Sequence, residues 1–313
     1  MVKVAVAGGS GGVGRAIIDA LKEQKTHDFV ILSRKDNPAL EAEVGAKVIS
    51  VDYTDSSSAQ KTLEDHQIHT VISALSIQSE EHSNAQIGLI HAAAAASSVK
   101  RFVPSEFGIP YEEKHIAVLP LAAFKSAAVD ELKKTDLEYT LFTNGFFMDY
   151  LGLPKVKSYL TPMVIVLDIQ HRVAGIPGSG NTPVVLTTTK DVGKFVVASL
   201  GLEKWSERSI MVGDRKTWNE ILAIAEKATG TKFQTSYDSV EKLQKGHITE
   251  LPSHVHVYPF FPKQALQGMF ALFGNWFENG EFNFQVTQGL YLNGKFPEIV
   301  PTSIDQIITA AWA

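Results

Sequence analysis

Two spacings of apolar residues alternate along the first half of the chain. Val2, Val4 and Val6 recur at every second position and stop at a cluster of glycines, Gly8, Gly9, Gly11, Gly12 and Gly14. Val13, Ile17 and Leu21 then recur at every fourth, which predicts a strand, a glycine-rich turn and a helix over residues 12–24. The change of period repeats down the chain. Further strands are predicted at 29–33, 46–51, 70–75, 100–104 and 137–143, with helices at 56–65, 80–98 and 121–135. The run Ala92–Ala96 is flanked by Ile87, Leu89, Ile90 and Val99, so it reads as a buried helix face that packs closely on a sheet. Pro120 suits the first turn of the helix it precedes. Regular strand–helix alternation implies an α/β fold, a Rossmann-type doubly wound parallel sheet with helices on both faces.

The second half has a different texture. Residues 175–183 are rich in Gly and Pro, Asp191 is a good N-cap for a following helix, and a short strand at 209–212 precedes a helix at 218–229. Between His254 and Phe296 lie Tyr258, Phe260, Phe261, Phe270, Phe273, Trp276, Phe277, Phe282 and Phe284. Aromatic density of this kind marks core or pocket lining, and core is the commoner fate of any one ring. The expected organisation is a dinucleotide-binding domain over residues 1–152, with return segments near 187–213, and a smaller C-terminal substrate-binding domain, mainly 153–313.

Composition narrows this picture by exclusion. With 313 residues, 44% hydrophobic and 20% charged, the chain can bury a sizeable core and has the make-up of an ordinary globular protein. A net charge of −5 without a Lys/Arg cluster argues against a nucleic-acid partner. The absence of cysteine excludes disulfides and thiol catalysis. No apolar run reaches the roughly 20 residues of a membrane span, and a strand starting at Val2 leaves no room for a signal peptide. A soluble, cytoplasmic protein acting on a small molecule is the expectation.

The glycine cluster carries the most chemistry. A strand, a Gly-rich turn and a helix form the setting in which a dinucleotide pyrophosphate binds. Two registers fit: Gly8, Gly11 and Gly14, or Gly9, Gly11 and Gly14. In the first, Gly8 makes the tight turn, Gly11 lets the backbone approach the phosphates, and Gly14 lets the helix pack on the strand. The N–H groups at the helix start, with the helix dipole, then face the anion, so Ser10, Gly12 and Val13 join the expected contacts. The second strand ends at Ser33-Arg34-Lys35, and its first acid, Asp36, comes only after two cations. A carboxylate at this place bonds a ribose 2′-hydroxyl, whereas a guanidinium binds a 2′-phosphate bidentately. Arg34 and Lys35 therefore favour NADP(H) over NAD(H).

Ligands of such sheets lie at the carboxyl ends of the strands. That adds Ala74, Leu75 and Ser76 under the nicotinamide half, Ser105 to Gly108 after the fifth predicted strand, and Asn144 and Phe146 after the sixth. Ser105-Glu106 reads first as structural and second as a substrate contact. Asp52 lies near the adenine position, or serves its own turn. His115 and His171 are proton relays or polar loop residues. His247, His254 and His256 share no fixed spacing and no carboxylate partner, so no metal site is expected.

Gly8-Gly-Ser-Gly-Gly-Val-Gly14, Arg34, Arg101-Phe-Val-Pro-Ser-Glu-Phe-Gly108, Lys125 and Asn144-Gly-Phe-Phe147 occur in an order that resembles the isoflavone reductase-like and NmrA-like proteins, atypical short-chain dehydrogenases. Gly178-Ser-Gly-Asn-Thr182 and Asp191-Val-Gly193 extend the resemblance over nearly the whole chain. It implies NADPH bound by the glycine loop and Arg34, with a small C-terminal domain closing a substrate cleft. In the reductase branch it also implies a catalytic lysine, matched here by Lys125, which adjoins the apolar face of its predicted helix. Ordinary short-chain dehydrogenases pair that lysine with a tyrosine four residues earlier, but here the residue is Leu121. Lys125 would then act alone or through water as general acid and base. Three readings follow: an NADPH-dependent reductase of a small aromatic or conjugated carbonyl, a non-catalytic dinucleotide sensor with a protein partner, and a redox-neutral lyase or isomerase.

Overall fold

A computed structural model describes residues 1–313. The first half runs β1 (Lys3–Ala7), α1 (Gly12–Gln24), β2 (Asp28–Ser33), α2 (Pro38–Val44), β3 (Val48–Ser50), α3 (Ser56–Asp65), β4 (Thr70–Ser73), α4 (Glu80–Ala95), β5 (Arg101–Val103), α5 (Glu113–Ile116), α6 (Pro120–Leu132), β6 (Glu138–Tyr139), β7 (Leu141–Thr143) and β8 (Phe146–Phe147). The second continues with β9 (Leu167–Asp168), β10 (Val173–Pro177), β11 (Pro183–Thr187), α7 (Thr189–Ser199), β12 (Arg208–Ile210), β13 (Asp214–Thr217), α8 (Trp218–Thr229) and β14 (Gln234–Asp238). Helices α9 (Val240–Gln244) and α10 (Lys263–Glu278), β15 (Leu290–Tyr291), α11 (Leu292–Lys295) and α12 (Ile304–Trp312) complete it. No helix is long and apolar enough to cross a membrane.

The chain forms two compact units. The first comprises Met1–Thr143, Thr189–Met211 and Val286–Ile299. Its main sheet has the order β3-β2-β1-β4-β5-β6 with every pairing parallel. This is the doubly wound α/β arrangement, and its strand order reverses beside β1, where the connections to β2 and β4 diverge and open a crevice at the carboxyl edge. Val4 to Ala7 of β1 are fully buried, as a strand covered on both faces requires. Leu63, Leu89, Phe102 and Leu132 pack in one core with Ala5 and Ala7. Helix α7 returns to lie on α1, and a Cβ on Gly193 would come within 2.9 Å of the Ala16 carbonyl carbon, so only glycine permits that approach. Strands β15, β12 and β7 form a separate parallel sheet in the same unit.

Several predicted elements are cut differently by tertiary structure. The sixth predicted strand, 137–143, is broken at the buried Thr140, whose hydroxyl bonds Ser209 Oγ at 2.8 Å. Before that break β6 pairs with β5, and after it β7 pairs with β12. Asp191 is no N-cap: it lies inside α7, buried, and accepts a bond from Lys194 Nζ at 2.9 Å. Helix α2 has no long apolar stripe to signal it and is set by its ends, an Asn37 cap, Pro38 in the first turn and Gly45 in the left-handed region.

The second unit comprises Asn144–Thr188, Val212–Gln285 and Val300–Ala313. It holds two three-stranded sheets, β14-β10-β9 and β13-β11-β8. Phe146, Trp218, Phe277 and Phe282 form an aromatic core with centroid separations from 4.7 to 6.5 Å. Phe270, Trp276 and Phe284 are also buried, as aromatic density led us to expect. Phe260, 88% exposed, and the neighbouring exposed Phe261 are the exceptions, because they lie between Pro259 and Pro262 instead of on a helix face.

Candidate active site

The glycine loop joins β1 to α1 at the point where the strand order reverses. Gly8 has φ +80, and a Cβ there would lie 2.7 Å from the Ala74 carbonyl carbon. A Cβ on Gly14 would lie 2.8 Å from the Gly8 carbonyl carbon. Both positions are thus glycine because backbone occupies the space. Gly11 differs: its backbone is extended, and a Cβ on it would meet nothing within 4 Å. The chain itself gives no reason for glycine at 11, whereas an external group seated on the loop does. Gly11 is the N-cap of α1, which has no side-chain cap and no acid in its first turn, so its first N–H groups have no partner on the helix. The geometry therefore matches the register Gly8, Gly11, Gly14, with Ser10 exposed and Gly12 and Val13 half-buried between them.

Arg34 and Lys35 follow β2, the neighbouring strand, and both are exposed. Tyr53, beyond β3, is buried and feels the Arg34 charge, although burial dominates and pushes its phenol up. Asp52 serves its own turn, accepting from Thr54 N at 2.8 Å and Thr54 Oγ1 at 2.6 Å. After β4, Ala74 backs the glycine loop, Leu75 is half-buried and Ser76 is exposed. Ser105, after β5, donates from Oγ to Leu75 O at 2.9 Å, and its N–H is held by Gln86 Oε1 of α4 at 2.8 Å. It ties two strand ends together.

Lys125 is 7% exposed and lies on the buried stripe of α6 with Ala122, Ala128 and Leu132, rather than beside it. Its ammonium donates to the backbone carbonyl of Glu106 and lies 4.6 Å from the centroid of the Tyr111 ring. The Glu106 side chain is buried too. Burial pushes its carboxyl up, while the charges of Lys125 and Arg208 pull it down. Arg208, on β12, donates to Thr143 Oγ1 at 2.9 Å, and burial lowers its guanidinium while Glu106 opposes that shift. Phe107 supports the turn between them with φ +29 and stacks on Phe142 at 6.1 Å. The sequence pointed to Lys125 and Ser105 but missed Tyr111 and Arg208. No spacing rule links them to Lys125, since they come from the loop after β5 and from a strand 83 positions downstream.

The remaining candidates have the following partners. Asn144 and Phe146 belong to the second unit, where the Asn144 carbonyl accepts from Thr187 Oγ1 at 2.8 Å and Phe146 is part of the aromatic core. His115 is buried, and its Nδ1 accepts from Glu112 N at 2.9 Å. His171 bonds the buried Asp168 at 2.8 Å, and His254 bonds Val164 O at 3.0 Å.

Against known proteins, the NmrA-like family profile matches residues 2–309. Oxidoreductase BOA1 of Botryotinia fuckeliana is 48% identical over 303 residues, covering 96% of this chain and 97% of its own. An isoflavone reductase homolog of Zea mays is 26% identical, over 98% of this chain and 97% of its own. Among solved structures, the leucoanthocyanidin reductase–NADPH complex of Vitis vinifera superposes with a TM-score of 0.75 at 19% identity, covering 98% of each chain, a likeness of fold. The ordered landmarks from Gly8 to Gly193 have a matching profile along their full span and a relative nearly half identical from end to end: the chain belongs to the NmrA-like family.

Proposed function

We propose that the protein is an NADPH-dependent oxidoreductase that reduces a small aromatic or conjugated carbonyl, with Lys125 as general acid and base. One observation carries the reading: a buried lysine is fixed at the carboxyl end of the sheet, in the same unit as a glycine loop whose central Gly11 is open to an outside group. The fit to a dinucleotide rests on that open position and on the uncapped start of α1. When bound, the reduced nicotinamide supplies a hydride. In this reading Gly11 to Gly14 hold the pyrophosphate, Arg34 and Lys35 the 2′-phosphate, and Ala74 to Ser76 with Ser105 the nicotinamide half. Lys125 moves a proton at the substrate oxygen, directly or through one bridging group. The names of the 48% identical oxidoreductase and of the reductase homologue support redox chemistry, and the Vitis vinifera reductase was crystallised with NADPH.

The test is a titration with NADPH and NADH, then a screen of aryl ketones and enones for cofactor consumption. Tight NADPH binding with one equivalent consumed per product is expected. Equal affinity for NADPH and NADP⁺ without turnover would replace this reading by a sensor. Product formed without NADPH consumption would replace it by a lyase or isomerase.

A further inference from the structure

Resting on that reading of Lys125, we infer that Tyr111 supplies the hydroxyl through which Lys125 works, taking the place of the tyrosine that Leu121 cannot provide. The phenol comes from the loop after β5, 14 residues before the lysine, and not from the same helix. Its ring centroid lies 4.6 Å from Lys125 Nζ, and His115 packs against the ring at right angles with centroids 6.0 Å apart. Gly108 makes room for its tip: a Cβ there would come within 3.3 Å of the Tyr111 hydroxyl oxygen. The ring is thus fixed by three neighbours, yet the hydroxyl bonds to no group of the protein and is not sealed from solvent. A half-buried tyrosine with a fixed ring and a free hydroxyl, beside the one buried lysine of the site, is arranged to meet a ligand oxygen.

The step balances. As hydride reaches the carbonyl carbon, the C=O π pair moves onto oxygen. The Tyr111 O–H bond breaks while a new O–H bond forms on the substrate. Negative charge developing on the phenol spreads into a ring whose face carries the Lys125 ammonium, which favours that transition state. Lys125 then returns a proton to the phenolate through water and takes one from solvent. The sum is one NADPH and one proton consumed per alcohol formed.

Tyr111→Phe keeps the ring, the contact with Lys125 and the edge contact with His115, and removes only the hydroxyl. With an aryl ketone that the wild-type protein reduces, kcat is expected to fall at least about 100-fold, the usual scale of a lost proton donor. NADPH affinity and melting temperature stay at the wild-type values. Lys125→Met combined with Tyr111→Phe costs little more than either change alone, because the two act as a unit. Independently of turnover, benzamide, an unreactive aryl carbonyl, binds the NADP⁺-loaded variant about tenfold more weakly than the wild type, the loss of one hydrogen bond to its oxygen. Turnover by Tyr111→Phe within threefold of wild type overturns the assignment, as do equal benzamide affinities, binding by neither included. A wild-type protein that discriminates benzamide through Tyr111 yet consumes no NADPH overturns the reductase reading alone.

Discussion

Gly11 and Gly14 lie three residues apart in one loop, and alanine at each is expected to fail in opposite ways. A Cβ at position 14 would stand 2.8 Å from the Gly8 carbonyl carbon and 3.1 Å from Ala74 Cβ. Carbon atoms rest at about 3.5–4.0 Å, and the nearer obstacle is backbone, which cannot rotate away. Overpacking of this kind costs about 1–3 kcal/mol. The rigid obstacle puts Gly14→Ala toward the upper figure, a fall in melting temperature of about 5–10 °C at the usual 2–4 °C per kcal/mol. At position 11 the backbone is extended, φ −163 and ψ −179, and no atom lies within 4 Å of the added methyl. Alanine there loses some N-cap preference and gains from a less flexible unfolded chain, two effects of opposite sign and each at most about 1 kcal/mol. Gly11→Ala therefore melts within about 3 °C of wild type. Its methyl, however, occupies the space where a phosphate oxygen must come within about 3 Å of the helix N–H groups. NADPH binding should weaken at least tenfold, about 1.4 kcal/mol. Thermal unfolding and a fluorescence titration of both variants decide the matter. Wild-type NADPH affinity in Gly11→Ala would refute the cradle, and an unchanged melting temperature in Gly14→Ala would refute the packing argument.

Other outcomes follow from the same geometry. Arg34→Ser should weaken NADPH by about tenfold or more, the scale of a hydrogen bond to a charged group, and leave NADH unchanged in parallel titrations. Arg101 bonds Glu138 at 2.6 Å and Glu203 O at 2.7 Å and lies 4.8 Å from the Trp205 ring centroid. Arg101→Met should cost about 3 kcal/mol in urea unfolding, with Arg101→Lys recovering little of it. Glu106, its carboxyl raised chiefly by burial, favours folding below its unfolded-state pKa and loses that contribution as pH rises through the folded value. The stability of Glu106→Gln relative to wild type should therefore improve from pH 4 to pH 8, and the opposite trend in urea melts would show that Lys125 and Arg208 outweigh burial.

Periodicity made the parallel sheet legible because each βα unit buries a continuous apolar stripe that sequence spacing records. The α1, α3 and α8 spans come out as the sequence predicted, each started by a local signal: the glycine loop, the Asp55 cap, and the Thr217–Glu220 capping box. Thr140 shows where such reading ends. A run of β-forming residues does not reveal that its two halves pair in different sheets, since the partner strands lie far along the chain. The site divides in the same way. The loop and Arg34 are proposed from signals local to one turn, and Lys125 from its place in an ordered set of landmarks. Tyr111 and Glu106 become its neighbours, and Arg208 a neighbour of Glu106, only when the segments after β5, α6 and β12 are brought together. Composition alone groups Phe260 and Phe261 with the buried aromatics, and their flanking prolines place both outside them.

The central claim is that Lys125 drives proton delivery to the substrate oxygen, directly or through the Tyr111 hydroxyl, as hydride leaves NADPH. Pre-steady-state oxidation of NADPH by wild type and Lys125→Met, each saturated with cofactor and a reducible aryl ketone, tests it most directly. The account predicts one NADPH oxidised per alcohol in the wild type. In the variant the rate should be lower by at least about 100-fold, with NADPH affinity within a few-fold. Oxidation at the wild-type rate in Lys125→Met would contradict it.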